Sequence, residues 1–261
     1  MLEQKMTNQK QKRLILVTND DGIQAPGMRI LAERLEALGE VYIVAPDRER
    51  SAVGHSLTLR HPLRILEIAP KMVAVEGTPT DCVLLAYHRL LPRKPTLVVS
   101  GINFGYNLGD DITYSGTVSA AFEATLLGVP AIAVSIGREG KKVHYDTAAN
   151  FAAKLARRTL REGLPPDTLL NVNVPNLPAS RIRGVSVTRQ GKRQYGDVIV
   201  EKVDPRGVPY FWIGNGEPRW TDAAGTDINA VRAGKISVTP IHLDLTNHPA
   251  IEKIRSWKIR R

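Results

Sequence analysis

The chain has 261 residues, of which 43% are apolar and 24% charged, a composition that excludes disordered, collagen-like and coiled-coil proteins. Its single cysteine, Cys82, excludes an internal disulfide and a zinc site built from several cysteines. The formal net charge of +10 lies mostly at the two ends, +3 in residues 1–13 and +4 in residues 250–261, which favours solvated tails and leaves a polyanion-binding role as the alternative.

The first elements of the chain predict a parallel sheet. A strand over Leu14–Thr18 is followed by a helix over 27–38, with apolar residues at helical spacing, and by a strand over 41–45. Continuously apolar strands that alternate with helices are typical of a sheet covered on both faces. The same patterns predict further strands over 57–68, Met72–Val75, 97–100, 131–135 and 169–174, and helices over 80–91, 117–127 and 145–161.

The C-terminal third has a different composition. Strands are predicted over 185–189 and 235–240, and the segment between them is rich in glycine, proline and aromatic residues: Tyr195, Tyr210, Phe211, Trp212 and Trp220. Aromatic side chains on a projecting hairpin are typical of a surface that contacts a partner. We therefore expect three segments. They are a polar basic extension over 1–13, a three-layer Rossmann-like α/β core over 14–180, and a C-terminal hairpin, closing strand and tail over 181–261, integrated with the core and available to a partner.

No stretch of the sequence approaches the roughly 20 apolar residues that a membrane span requires. The apolar run that begins at Leu14 is also too short for a signal peptide. We therefore expect a cytoplasmic protein with no membrane partner.

The loop after the first strand contains two adjacent carboxylates, Asp20 and Asp21, within Asn-Asp-Asp-Gly. Ligands of open parallel sheets bind beyond the carboxyl ends of the strands. Adjacent carboxylates repel each other, so a bound divalent cation would explain the pair. The alternative is a turn with a helix cap, which accounts for only one of the two aspartates.

Two further loops have unusual polar content. The loop over 47–56 is either a plain charged turn or, through His55, the source of a catalytic base. The loop over 100–111, rich in glycine and asparagine, leads to Ser115, Gly116 and Thr117 at the start of a predicted helix. Such a helix start can bind an anion, whereas ordinary helix capping is the alternative. A carboxylate pair beside an anion site indicates metal-assisted chemistry on a phosphate.

Several common motifs are absent from the sequence. The first strand–helix turn has no Gly-x-Gly-x-x-Gly, which argues against a dinucleotide cofactor. The chain also lacks a P-loop, a Gly-x-Ser-x-Gly nucleophile motif and a His-Glu-x-x-His zinc motif.

Six sequence blocks occur in order along most of the chain. They are Val-Thr-Asn-Asp-Asp-Gly-Ile (17–23), Ala-Pro-Asp-Arg-Glu-Arg-Ser (45–51), Gly-Thr-Pro-Thr-Asp-Cys (77–82), Ser-Gly-Ile-Asn (100–103), Tyr-Ser-Gly-Thr-Val (114–118) and Ser-Val-Thr-Pro-Ile (237–241). Together they resemble the survival protein SurE family, whose members are metal-dependent 5'-nucleotidases. The extension over 1–13 and the basic end after 250 fall outside the resemblance.

The resemblance implies one divalent cation per subunit, held by Asp20, Asp21, Ser51 and Asn103. In the loop over 47–56 it therefore favours Ser51 over His55. Carboxylate, hydroxyl and amide oxygens are hard ligands that suit Mg²⁺ or Mn²⁺. The resemblance also implies a cytoplasmic homodimer or homotetramer in which the C-terminal hairpin and tail are exchanged between subunits.

The activity that follows is hydrolysis of nucleoside 5'-monophosphates. Asp20 and Asp21 are the expected catalytic residues, and Asn107, Ser115, Gly116 and Thr117 are expected to bind the phosphate or the substrate. The position of Phe104, directly after the ligand Asn103, leaves the substrate preference open. Alternatives are a broader phosphatase that also cleaves 3'-monophosphates or polyphosphate, a sugar-nucleotide transferase, and a non-enzymatic polyanion binder. We do not expect a nucleic acid partner.

Overall fold

The predicted apolar runs form the strands of a central sheet. The computed structural model describes residues 13–194, 199–213, 219–221 and 223–259. The strands are β1 (Leu14–Thr18), β2 (Glu40–Pro46), β3 (Ile65–Ala69), β4 (Met72–Val75), β5 (Leu97–Phe104), β6 (Ala131–Ile136), β7 (Thr168–Val174), β8 (Val185–Val187), β9 (Arg193–Gln194), β10 (Ile199–Val203), β11 (Pro209–Ile213), β12 (Arg219–Trp220) and β13 (Ile236–His242). The helices are α1 (Pro26–Leu35), α2 (Pro79–Leu85), α3 (Gly116–Leu126), α4 (Tyr145–Glu162), α5 (Asp227–Arg232) and α6 (His248–Arg255).

Nine strands form the central sheet, in the order β3-β4-β2-β1-β5-β6-β7-β13-β8. The strands from β4 to β7 in this order are mutually parallel. Strand β3 is antiparallel to β4, and β13 is antiparallel to β7. This is the Rossmann-like α/β sheet that the sequence predicts.

Helices cover both faces of the sheet. Successive side chains of a strand point to opposite faces. Accordingly, Ile15 and Val17 of β1 belong to a buried cluster with Met28 of α1 and Ala148 of α4. Leu16, between them, belongs to the opposite cluster, with side chains from α2 and α3. The fold therefore has three layers.

Two predicted elements differ from the observed ones. The strand expected over 57–68 forms only over Ile65–Ala69, because Pro62 cannot donate to a strand ladder and Thr58 hydrogen bonds to Asp81 instead. Conversely, β5 continues through Phe104 after a shift in its pairing with β6 between Ser100 and Asn103. Part of the predicted loop over 100–111 is therefore strand.

The C-terminal segment contributes to the sheet and also projects from it. Strands β8 and β13 complete one edge of the sheet, while β10 and β11 form a separate antiparallel hairpin. Every residue of β11 is exposed, including Phe211 and Trp212. Tyr195 and most of the basic N-terminal extension lie outside the described residues. The division of the chain at about residue 180 stays a prediction.

The order of the strands determines where a site can form. Strands β2, β1 and β5 are neighbours and parallel, so the loops after them emerge at the same edge of the sheet. These are the three polar loops that the sequence singles out. Within the described ranges, no helix is both long enough and apolar enough to cross a membrane.

Candidate active site

The three loops enclose an open cavity of about 990 Å³ at the carboxyl edge of the sheet. Five of the eight predicted site residues line it: Asp20, Ser51, Asn103, Asn107 and Ser115. The other three lie beside lining residues. Asp21 follows Asp20 in the chain, Gly116 follows Ser115, and Thr117 forms a hydrogen bond with Asp20. Loops far apart in the sequence therefore converge on one cavity, because they follow the carboxyl ends of neighbouring parallel strands.

Asp20 is packed against the first turn of helix α3. Its side chain is only 5% exposed, and the hydroxyl of Thr117 donates a hydrogen bond to its Oδ1. Burial raises the pKa of Asp20, while hydrogen bonds from the Thr117 side chain and from backbone groups, including those of Gly116 and Thr117, oppose that increase. The anion that the start of α3 faces is thus the carboxylate of Asp20.

Gly116 and Thr117 therefore contact Asp20 in this structure. The Thr117 hydroxyl is fully buried and already bonded to the carboxylate, so it is not free for a phosphate. A Cβ atom on Gly116 would lie 2.7 Å from the Asp20 Cβ, so only glycine permits this close packing. Ser115 caps the helix by accepting a hydrogen bond from the Val118 N–H at 3.1 Å, and it also lines the cavity.

Asp21 completes the carboxylate pair. Its Oδ2 accepts a hydrogen bond from the backbone N–H of Phe104 at 3.2 Å. Burial and the nearby charge of Asp20 raise the pKa of Asp21 to about 6, although Arg138 acts in the opposite direction. A raised pKa beside a second carboxylate is the electrostatic signature of a pair that a cation would stabilise.

Ser51 and Asn103 supply neutral oxygens at the same cavity. The Ser51 hydroxyl donates to Glu49 Oε1 at 2.7 Å, and its loop is tied to the carboxylate turn by the Arg50 N–H, which donates to the Asp20 carbonyl at 2.8 Å. Asn103 donates its side-chain N–H to the Gly105 carbonyl at 2.7 Å, which leaves its amide oxygen available as a ligand. The described residues contain no cluster of three or more His, Cys, Asp or Glu suited to a metal, so a cation here would need these neutral oxygens.

Asn107 is held by a buried polar network that the sequence analysis missed. Its backbone N–H donates to Asn173 Oδ1 at 2.8 Å, and its carbonyl accepts from the side chains of Asn171 and Asn173. Its own amide donates to Ser135 at 2.8 Å. The available signal was a pair of asparagines at alternate positions of the otherwise apolar strand β7.

The far wall of the cavity comes from the C-terminal segment, which the sequence analysis also missed. Ile228, Val231 and Arg232 of helix α5 line it, together with Arg193, which pairs with Asp111. Asp227, at the start of α5, is fully buried and accepts hydrogen bonds from the backbone N–H groups of Gly109, Gly191 and Ile228. This carboxylate joins the loop after β5 to the C-terminal segment.

His55, the alternative catalytic base, does not line the cavity. Its Nε2 lies 2.8 Å from Glu123 Oε2, and its ring packs against Phe122. Both partners belong to helix α3. The contact anchors the loop that contains Ser51 to this helix.

Comparisons with known proteins agree with this arrangement. The family model described as survival protein SurE matches residues 15–197. The 5'-nucleotidase SurE of Geobacter sulfurreducens is 62% identical over 245 residues, which is 94% of each chain. That of Geobacter metallireducens is 60% identical over 93% of this chain and 96% of its own. The crystal structure of the SurE protein from Aquifex aeolicus superposes with a TM-score of 0.85 at 47% identity, covering 94% of this chain and 100% of that chain.

Proposed function

The chain belongs to the survival protein SurE family, and we infer from that membership that it is a 5'-nucleotidase, which hydrolyses nucleoside 5'-monophosphates to a nucleoside and phosphate. The observation that supports this most directly is the convergence of Asp20, Ser51, Asn103 and Asn107 on one open cavity. The cavity is at the upper end of the size range of small-molecule sites, which is sufficient for a nucleotide.

We propose that Asp20, Asp21, Ser51 and Asn103 hold one Mg²⁺ or Mn²⁺ ion per subunit. The donor set fits such an ion, because all four side chains offer hard oxygen atoms. The raised pKa of Asp21 also fits, since the two carboxylates repel each other without a cation. When bound, the ion supplies charge that polarises the phosphate and lowers the pKa of an attacking water.

The other side chains act around this centre. Asn107 and Ser115 line the cavity and are the groups we assign to the phosphate. Gly116 and Thr117, which the sequence predicts at the phosphate, act through Asp20: Gly116 permits its close packing, and Thr117 favours its ionised form through a hydrogen bond. Asp20 and Asp21 are the catalytic carboxylates of the proposal.

We also propose that the protein is a homodimer or homotetramer built through its C-terminal hairpin and tail. Phe211 and Trp212 of β11 are 59% and 57% exposed, and Trp257 after helix α6 is 61% exposed. Large aromatic side chains in that state are typical of interfaces. The cytoplasmic location stays a prediction.

The test is a phosphate-release assay over a panel of nucleoside monophosphates with Mg²⁺, Mn²⁺ or excess chelator. Release that requires the metal supports the proposal. Salt-sensitive binding of polyanions without release would instead support the non-enzymatic alternative. A sugar-nucleotide transferase would release no phosphate from a monophosphate.

The ligand set is tested by metal titration. Ser51→Ala and Asn103→Ala should each raise the Mn²⁺ concentration that gives half-maximal activity, because each removes one oxygen ligand. The exposed residues Ser180 and Asn150 provide matched controls, and Ser180→Ala and Asn150→Ala should leave the titration unchanged. An unaltered metal titration with a lower maximal rate would assign Ser51 and Asn103 to the substrate instead.

A further inference from the structure

Arg138 occupies a defined position at the cavity that neither the metal site nor the phosphate site explains. Its Nε donates a hydrogen bond to the carbonyl oxygen of Phe104 at 2.9 Å, and its guanidinium carbon lies 5.5 Å from the centre of the Phe104 ring. That separation is within the range of a cation–π contact. The side chain is therefore attached to Phe104 at two points.

Gly105 makes this position of Arg138 possible. A Cβ atom on Gly105 would lie 2.8 Å from Arg138 Nε and 3.1 Å from one terminal nitrogen, so a larger residue would displace the guanidinium. The φ angle of Gly105, +128°, also disfavours any other residue. The Phe-Gly pair directly after the proposed metal ligand Asn103 thus holds the side chain of one arginine in place.

Arg138 lines the cavity, whereas Phe104, against which its side chain packs, does not. Across the described parts of the chain, Arg138 forms no ion pair with a carboxylate within 4 Å. Its charge nevertheless lowers the pKa of Asp21, which places it within electrostatic range of the metal site.

A nucleotide needs a site for its base next to the site for its phosphate. In a nucleoside monophosphate the ribose separates the phosphate from the base, so the base must lie beside the phosphate site but outside it. The planar guanidinium of arginine stacks on aromatic rings and on nucleobases. Tyr106 and Glu139, whose hydroxyl and carboxylate are 3.2 Å apart, line the cavity next to Arg138 and can contact the edge of a stacked base.

We propose that Arg138, seated on Phe104, is the surface on which the nucleobase of the substrate stacks. The proposal rests on the nucleotidase function proposed above and identifies the residue that distinguishes a nucleotide from a simple phosphate ester. Stacking depends on the area of the ring and not on its hydrogen-bonding pattern. Arg138 therefore accepts every base and favours purines over pyrimidines.

The test compares AMP with ribose 5-phosphate, which has the same phosphate and sugar but no base. The ratio of kcat/KM for the two substrates measures what the base contributes. In the wild-type protein the ratio should be roughly five- to one-hundred-fold in favour of AMP, the range expected for one stacked base. Arg138→Lys, which keeps the charge but removes the plane, should lower this ratio towards one, and adenosine should inhibit the variant less strongly.

Two further variants complete the design. Arg138→Gln, which keeps a planar amide but removes the charge, should retain more of the ratio than Arg138→Lys. Lys141→Ala removes an exposed cation from the same loop and should leave the ratio unchanged. Melting temperatures close to that of the wild type are expected, because Arg138 is exposed.

The outcomes separate the two proposals. A wild-type ratio near one would overturn the stacking role. So would an equal loss of kcat/KM for AMP and ribose 5-phosphate in Arg138→Gln that Arg138→Lys does not show, because that result would assign Arg138 to the phosphate. Release of no phosphate from either substrate would overturn the nucleotidase function itself, and the stacking role with it.

Discussion

The hydrogen bond from Thr117 to Asp20 leads to the sharpest prediction. The two residues are 97 positions apart in the chain, and both are buried. Thr117→Val removes the hydroxyl and keeps the shape of the side chain. We expect a folded protein that binds its metal more weakly.

The magnitude follows from the charge of the acceptor. A hydrogen bond to a charged group contributes about 1.5–3 kcal/mol, which corresponds to roughly a ten- to hundred-fold change in an equilibrium constant. The bond favours the ionised form of Asp20, and burial already raises the pKa of that carboxyl. Removing the bond raises the pKa further, so protons compete more effectively with the metal.

The assay is a titration of activity with Mn²⁺ at several pH values. The half-saturating concentration should rise about ten- to hundred-fold in Thr117→Val. The defect should shrink as the pH is raised, because Asp20 then loses its proton. Thr117→Ser, which keeps the hydroxyl, is the matched control and should bind metal nearly as the wild type does.

A different result would refute this account. If Thr117→Val keeps the wild-type metal titration but shows a higher KM and weaker inhibition by inorganic phosphate, the hydroxyl contacts the phosphate. That was the role expected from the sequence. Equal defects in Thr117→Val and Thr117→Ser would indicate disturbed packing of helix α3.

Three further predictions concern the carboxylate pair, the helix start and the hairpin. The pKa of Asp21 is raised to about 6 from an ordinary 3.8. The folded metal-free protein therefore binds a proton that the unfolded chain releases. The stability of the folded protein should rise as the pH falls from 7 to 5. Thermal melts of the wild type in excess chelator should show this trend, and a melting temperature independent of pH would contradict the raised pKa. Asp21→Asn should weaken the trend and abolish turnover. The variant should melt no lower than the metal-free wild type. Gly116→Ala should lower both the melting temperature and the metal affinity, because the new Cβ would lie 2.7 Å from Asp20 Cβ. Phe211→Glu with Trp212→Glu should reduce the molar mass in light scattering while phosphate release from ribose 5-phosphate persists, and an unchanged assembly would exclude the hairpin as an interface.

The alternation of apolar runs with helical spacing along the chain predicts the parallel sheet. Strand β1 is predicted with its observed bounds, Leu14–Thr18, because a continuous apolar run followed by turn residues has few alternative structures. The prediction of a strand over 57–68 is wrong for the part before Ile65. The hydrogen bond between Thr58 and Asp81 joins that part to a helix 23 residues away. An apolar composition alone does not reveal such a contact.

The candidate site is likewise predictable from the sequence only in part. The sequence indicates Asp20 and Asp21 because two adjacent carboxylates follow a strand, at the edge of the sheet where ligands bind. Ser51 and Asn103 are predicted only through the resemblance to the SurE family. The partners that hold and surround these residues are not visible. Which anion the start of helix α3 faces, which asparagines hold Asn107 and which arginine lies over Phe104 depend on contacts between side chains far apart in the chain. Motifs and strand order therefore predict the chemical groups of the candidate site, whereas the partners of these groups follow from the tertiary structure, because local propensity sets the elements and long-range packing sets which side chains meet.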